Sequence, residues 1–143
     1  NFTLMCADLS AIATYAKVNN TAYRLLKAYT PGPYTFILSA TAEVPRRLMH
    51  PKRKTIGLRI PDNRVAQALL QEIGEPIMTT SLILPGESEP LSEIYDIEDR
   101  VGNQVDLIVE CGACGIEPTT VVDLVEGEPR LIRAGKGDSI PFT

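Results

Sequence analysis

Apolar and polar positions alternate along the chain in short blocks, and the period of the pattern switches repeatedly between two and the helical spacing. Phe2 to Cys6 reads as a strand, and behind it Asp8 or Ser10 carries the side-chain oxygen that caps a helix. A second helix is expected from about Thr21 to Tyr29, with Tyr23, Leu25 and Leu26 as its apolar side, ended by Pro31-Gly32-Pro33. "YTFILSA" and "TIGLRI" are rich in β-branched and aromatic residues and read as buried strands. Asn63 opens the most regular helix, in which Val65, Ala68, Leu69 and Ile73 recur at helical spacing and Gly74 lets the chain leave through a left-handed turn. "IMTTSLIL" is the next expected strand, and residues 87–104 are acidic and weakly amphipathic, a loop with one helix. "VDLIVEC", "TTVVDLVE" and "RLIRAG" read as three more strands, the last two joined through "GEP" as a hairpin. The pattern predicts an α/β protein: a twisted mixed sheet with helices packed on it.

Composition narrows this picture. With 143 residues and 44% hydrophobic content, the chain is the size of one globular domain and can bury a real core. Its first residue is Asn1 and a strand pattern begins at once, which gives the expectation of a single domain over residues 1–143 that lacks an N-terminal segment. No apolar stretch approaches the roughly twenty residues of a membrane span and no signal-peptide pattern is seen, so a soluble, cytoplasmic protein is expected. The net charge of -4 supplies no general attraction for polyanions. Residues 46–54, "RRLMHPKRK", are the exception: Arg46, Arg47, Lys52, Arg53 and Lys54 form a patch able to touch RNA phosphates, or simply a solvated basic loop.

The usual catalytic devices are absent from the pattern. Three cysteines make a poor disulfide framework, and Cys111-Gly-Ala-Cys114 is half of a zinc or redox site, with only Cys6 and His50 left to complete it. The single histidine, His50, sits in the basic loop, a poor place for a nucleophile's base. "AGKGDS" at residues 134–139 has the glycines of a phosphate loop but runs into Ile140-Pro141 instead of a helix. No catalytic nucleophile and no metal site is therefore assigned. What remains is a series of strand ends bearing hydroxyls or an arginine: Thr55 and Arg59, then Thr79, Thr80 and Ser81, then Thr119 and Thr120, then Arg133. Such groups suit carboxylates and phosphates, although threonine also favours strands for its own sake.

In order and at these separations, "PGPYTFIL", "TIGLRIP", "GEPIMTTS", "PTTVVDL" and "LIRAG" resemble the YrdC/YciO superfamily, whose best-known members are threonylcarbamoyl-AMP synthases. "NFTLMC", "VPRRL", "KRKTIG" and "LPG" are similar to the YciO branch in particular. The resemblance implies a YrdC-like fold that takes L-threonine, bicarbonate and ATP, with Mg2+ bridging phosphates, to threonylcarbamoyl-adenylate and pyrophosphate, an intermediate in tRNA modification. It implies that Thr55, Arg59, Ser81 and Arg133 face the nucleotide, and that Thr79 and Thr119 line the threonine pocket. It also implies a concave positive surface for which tRNA or double-stranded RNA is the alternative partner, without synthase activity. Two departures stand out. The lysine and arginine segment that precedes "NFTLMC" in the family is not in this chain, and where the synthases read Ser-Ala-Asn this chain has Ser81, Leu82 and Ile83. A branched hydrocarbon in place of the amide predicts a retained pocket with weakened or altered synthase activity.

Overall fold

The computed structural model describes residues 2–112, 115 and 117–143. Residues 1–80 and 118–143 form one compact unit and residues 81–117 a second.

The first unit is built on a six-stranded sheet. Its strands are β1 (Thr3–Met5), β2 (Tyr34–Ser39), β3 (Thr55–Arg59), β4 (Ile77–Thr79), β5 (Thr120–Asp123) and β6 (Arg130–Arg133), in the spatial order β4-β1-β3-β2-β5-β6. β1 runs parallel to β3 and β2 parallel to β5; the other three pairings are antiparallel. The mixed sheet expected from the sequence is present.

Register divides the side chains between two faces. Leu4, Tyr34, Phe36, Leu38, Ile56, Leu58, Thr120 and Val122 are buried and point one way. Helices α1 (Leu9–Tyr15) and α2 (Asn20–Tyr29) contribute Ile12, Ala22 and Leu26 to that core, and Phe142 closes it against Tyr29, Tyr34 and Phe36. The alternate positions Thr3, Thr35, Ile37, Thr55, Gly57, Arg59, Thr79, Asp123 and Arg133 lie on the other face. One face of the sheet is therefore largely apolar, while the other mixes hydroxyls and charges with Met5, Ile37, Ile77 and Val121.

Two helix starts carry the caps expected at Asp8 and Asn63, and Asn19 adds a third. Asp8 accepts from the amide of Ala11 at 2.9 Å, Asn19 from Ala22 at 2.8 Å and Asn63 from Ala66 at 2.9 Å, each satisfying an otherwise free donor. Gly74 leaves α3 (Arg64–Ile73) with φ at 80°, as its position suggested.

Several expectations are corrected. In α2 the buried face carries Ala22 and Leu26, with Leu25 packed beside them, while Tyr23 is exposed. In α3 Leu70 is the buried side chain, whereas Leu69 and Ile73 are exposed; the inner face is offset from the one the periodicity suggested. β4 is shorter than expected, ending at Thr79, which pairs with Thr3 of β1. Residues 105–111 form no strand: Val105, Leu107 and Val109 alternate as a strand would but are 46%, 78% and 48% exposed. Alternation alone does not make a strand without a neighbour to hydrogen-bond. Among its described residues the second unit instead holds one helix, α4 (Ile94–Val101), and an Arg100–Glu87 ion pair at 3.6 Å.

Asp123 fastens the sheet to the turn before β3. Its carboxylate is buried, receives Arg53 Nη2 at 2.9 Å and Arg130 Nη2 at 3.4 Å, and accepts the amide of Val125. Burial alone would raise its pKa, but the Val125 amide and the two guanidiniums outweigh it and hold the carboxyl below its usual range. The stability it contributes is thus present above the pH at which the unfolded carboxyl titrates, about 3.9, and is lost as pH falls through the lower folded value. Asp123→Ala is expected to cost about 2 kcal/mol at neutral pH, and urea titrations should show that difference shrinking below pH 4.

Candidate functional site

The polar face of the sheet gathers its chemistry in two groups on either side of Gly57. In the first, Thr79 Oγ1 lies 3.0 Å from Thr3 Oγ1 and donates to the Thr3 carbonyl at 3.2 Å, while Arg59 Nη2 approaches Thr79 Oγ1 at 3.5 Å. In the second, Thr35 Oγ1 and Thr119 Oγ1 are 2.8 Å apart, and Arg133 donates through Nε and Nη2 to the Thr119 carbonyl at 3.0 and 2.8 Å and through Nη2 to Thr119 Oγ1 at 3.1 Å. Each group is a pair of threonine hydroxyls with one guanidinium. Between them Gly57 keeps the floor low: a Cβ there would lie 3.1 Å from the Thr3 methyl and 3.3 Å from the Thr35 methyl.

The two arginines differ in what they have left to offer. Arg133 is exposed and already bound to Thr119. Arg59 is half-buried, its guanidinium pKa lowered by burial, and among the described residues no carboxylate stands within ion-pair distance of it. A partly desolvated charge with one long hydrogen bond is an unsatisfied anion receptor.

Thus Arg59 and Thr79 are brought together, as are Thr119 and Arg133. Thr55 lies on the same face, buried at the start of β3 opposite Ser39. Ser81 is exposed and belongs to the second unit, as does Ile83, which is 47% exposed and donates its amide to the Ser81 carbonyl at 3.0 Å. Sequence reasoning missed Thr3 and Thr35. The residues two away in those strands are Met5 and Ile37, so the sequence carried no polar alternation to mark either threonine.

Arg53, His50 and Cys6 have structural roles. In the basic segment, Arg46 and Arg47 sit on a short 3-10 turn, and Lys52, Arg53 and Lys54 on the turn before β3; Arg53 is already paired with Asp123. His50 Nδ1 accepts the amides of Lys52 and Arg53 at 3.2 and 3.1 Å, which shapes that turn. Cys6 is fully buried and its thiol is pushed up to about 12, first by burial and then by the charge of Asp8, so it stays a protonated core side chain. Cys111 is exposed, and Cys114 lies outside the described residues. Among the described residues no cluster of three potential metal ligands exists. The strands carry one carboxylate, Asp123, already engaged by two arginines, so they offer no free carboxylate to magnesium.

The glycine-rich stretch at 134–139 is a packing device. Its amides at Gly135 and Lys136 are engaged by Thr120 Oγ1 at 3.1 Å and the Pro118 carbonyl at 2.8 Å, leaving neither to cradle a phosphate. At the far ends of β1 and β3 a hollow of about 500 Å³ is lined by Asp8, Lys27, Asp62, Asn63 and Gln67 among others. Strand ends often hold ligands, but here Asp8 and Asn63 cap helices and Gln67 binds the Pro61 carbonyl. The hydroxyl and arginine face has the better chemistry.

Comparison with known proteins bears on that face. Residues 1–135 match the Sua5/YciO/YrdC family model, described as telomere recombination. The crystal structure of Escherichia coli YciO is 55% identical, with a TM-score of 0.95, over 100% of this chain and 69% of its own. A threonylcarbamoyl-AMP synthase of Vibrio vulnificus is 29% identical over 109 residues, 74% of this chain and 58% of the synthase. The crystal structure of Pyrococcus abyssi Sua5 complexed with L-threonine is 25% identical, with a TM-score of 0.84, over 94% of this chain and 39% of its own.

Proposed function

Because the chain belongs to the Sua5/YciO/YrdC family, we propose that the intact protein binds ATP, as its magnesium complex, together with L-threonine and bicarbonate, and forms an adenylate of the threonylcarbamoyl kind. The observation that carries this reading is Arg59: a half-buried guanidinium without an acidic partner among the described residues, on a sheet face lined by threonine hydroxyls.

The chemistry needs little more than such a face. The amine of threonine and bicarbonate give a carbamate with loss of water. A carbamate oxygen then attacks the α-phosphorus of ATP, the bond to the β-phosphate's bridging oxygen breaks, and pyrophosphate leaves with the electron pair. Two anions must be brought into contact, so the protein's task is to neutralise charge and align the reactants. Arg59 suits the developing phosphoryl charge, and Thr79 holds that guanidinium at its hydroxyl. Thr119 and Arg133 suit the carboxylate end or the neighbouring phosphates, with Thr55 on the same face. No protein nucleophile is required.

The synthases read an asparagine where this chain has Ile83, and that departure predicts a slower reaction. A hydrogen bond to a charged group is worth about 1.5 to 3 kcal/mol, or roughly ten- to a hundredfold, and the isoleucine supplies none. With the full-length protein, ATP, L-threonine, bicarbonate and magnesium, pyrophosphate release should be threonine-dependent and slow, and Ile83→Asn should raise it by about tenfold. If neither version releases pyrophosphate in response to threonine, the synthase reading is wrong.

A further inference from the structure

The two threonine pairs look alike, yet their protons are arranged differently. Thr79 Oγ1 donates its proton to the Thr3 carbonyl and accepts from Thr3 Oγ1 and Arg59, so its hydroxyl is saturated before any ligand arrives. Thr35 and Thr119 have no such closure. The Thr35 hydroxyl is on a side chain only 5% exposed, and among the described residues its hydrogen-bond partner is Thr119 Oγ1. Thr119 is half-exposed, and its oxygen also accepts from Arg133 Nη2 at 3.1 Å.

The direction of the 2.8 Å bond follows from burial. Were Thr119 the donor, the Thr35 proton would be stranded in the interior, a loss that nothing nearby offsets. With Thr35 as donor, every buried polar atom is satisfied and the one remaining proton, that of Thr119, is on the side chain that reaches solvent. Both lone pairs of Thr119 are then occupied, by Thr35 and Arg133. Its hydroxyl can no longer accept; it can only donate, and two donors behind it polarise it further.

We infer that Thr35 is a positioning residue that locks Thr119 as an outward-facing hydrogen-bond donor, so that this end of the polar face selects an oxygen anion, a carboxylate or phosphate oxygen, and rejects an ammonium group. The inference rests on the functional reading above for the identity of the ligand but not for the direction of the bond. It also separates the two groups by task. The Thr3–Thr79 pair holds Arg59 in place, whereas the Thr35–Thr119 pair meets the ligand. Applied to L-threonine, the carboxylate lies against Thr119 and the amine points away from it, toward the nucleotide where the carbamate must form.

Two measurements on the full-length protein test this. Titration calorimetry with L-threonine and with ATP compares the wild type with Thr35→Val, of similar volume but without the hydroxyl, and Thr35→Ser, which restores it. Thr35→Val should weaken the ligand held at Thr119 about tenfold without lowering the melting temperature, and Thr35→Ser should bind like the wild type. Equal binding by Thr35→Val, or failure of serine to rescue, overturns the inference. Neutron diffraction from the perdeuterated, unliganded protein reads the bond itself: the Thr35 deuteron should lie between the two oxygens and the Thr119 deuteron outside. A Thr119 deuteron pointing at Thr35 overturns the inference whatever the calorimetry shows. Should the wild type bind neither ligand, the functional reading fails, and the neutron map alone decides the direction of the bond.

Discussion

Arg59→Met in the full-length protein should weaken ATP binding by at least about thirtyfold while leaving the melting temperature unchanged or slightly higher. The reasoning runs from opposite signs in the two states. In the free protein the guanidinium is half-buried with one hydrogen bond of 3.5 Å and, among the described residues, no carboxylate to offset its desolvation. Replacing it with an apolar chain of similar length removes that cost, as replacement of poorly compensated buried charges often does. In the bound protein the same charge would meet phosphate oxygens in a partly desolvated setting, and deleting one partner of such a contact costs about 2 to 5 kcal/mol. Calorimetry and thermal melting on one sample separate the two effects. A variant that loses binding and stability together would mean that Arg59 is a structural cation, and a variant that binds ATP normally would remove it from the site.

The second large effect is on folding. Gly137→Ala should lower stability by about 3 kcal/mol, at the upper end of ordinary overpacking, and drop the melting temperature by about 10 °C for a chain of this size. A Cβ at Gly137 would lie 2.6 Å from Tyr34 Cε1 and 2.7 Å from Cζ. Tyr34 cannot give way easily. Its ring packs against Tyr29, Phe36 and Phe142, its hydroxyl donates to the Asp138 carbonyl at 3.0 Å, and Thr120 Oγ1 binds the Gly137 carbonyl itself. Gly135→Ala should be at least as damaging, because there the obstacles are the Pro118 and Thr119 carbonyls at 2.4 and 2.6 Å, and backbone moves less readily than a ring. Gly127, with nothing within 4 Å, is the control, and Gly127→Ala should be near neutral. Denaturant titrations of the three variants decide this. A well-folded Gly137→Ala protein with altered nucleotide affinity would instead return the stretch to the role of a phosphate loop.

The same segment shows how sequence and structure divided the problem. A loop with glycines around a lysine invites a phosphate, and the sequence argued against one because Asp138 and Ser139 follow the second glycine and the stretch runs into Ile140-Pro141. The coordinates supply the positive reason for both glycines: the chain passes so close to β5 and Tyr34 that no side chain fits.

What the sequence determined by itself was the part of the fold that local physics controls. Capping oxygens at Asp8 and Asn63, the left-handed exit at Gly74 and the period-two runs of β2 and β3 are each set by residues a few positions apart, so they could be read without knowing any neighbour. The ordered motifs also gave the family, whereas the pairings of Arg59 with Thr79 and of Arg133 with Thr119 are set by the tertiary structure. Only the tertiary structure decided which helical face is buried, that residues 105–111 find no partner strand, that Arg53 is claimed by Asp123, and that Thr3 and Thr35 complete the hydroxyl pairs. Those outcomes depend on which strands lie side by side, here β4-β1-β3-β2-β5-β6, and that order is set by packing between segments tens of residues apart, where a one-dimensional pattern carries no distance.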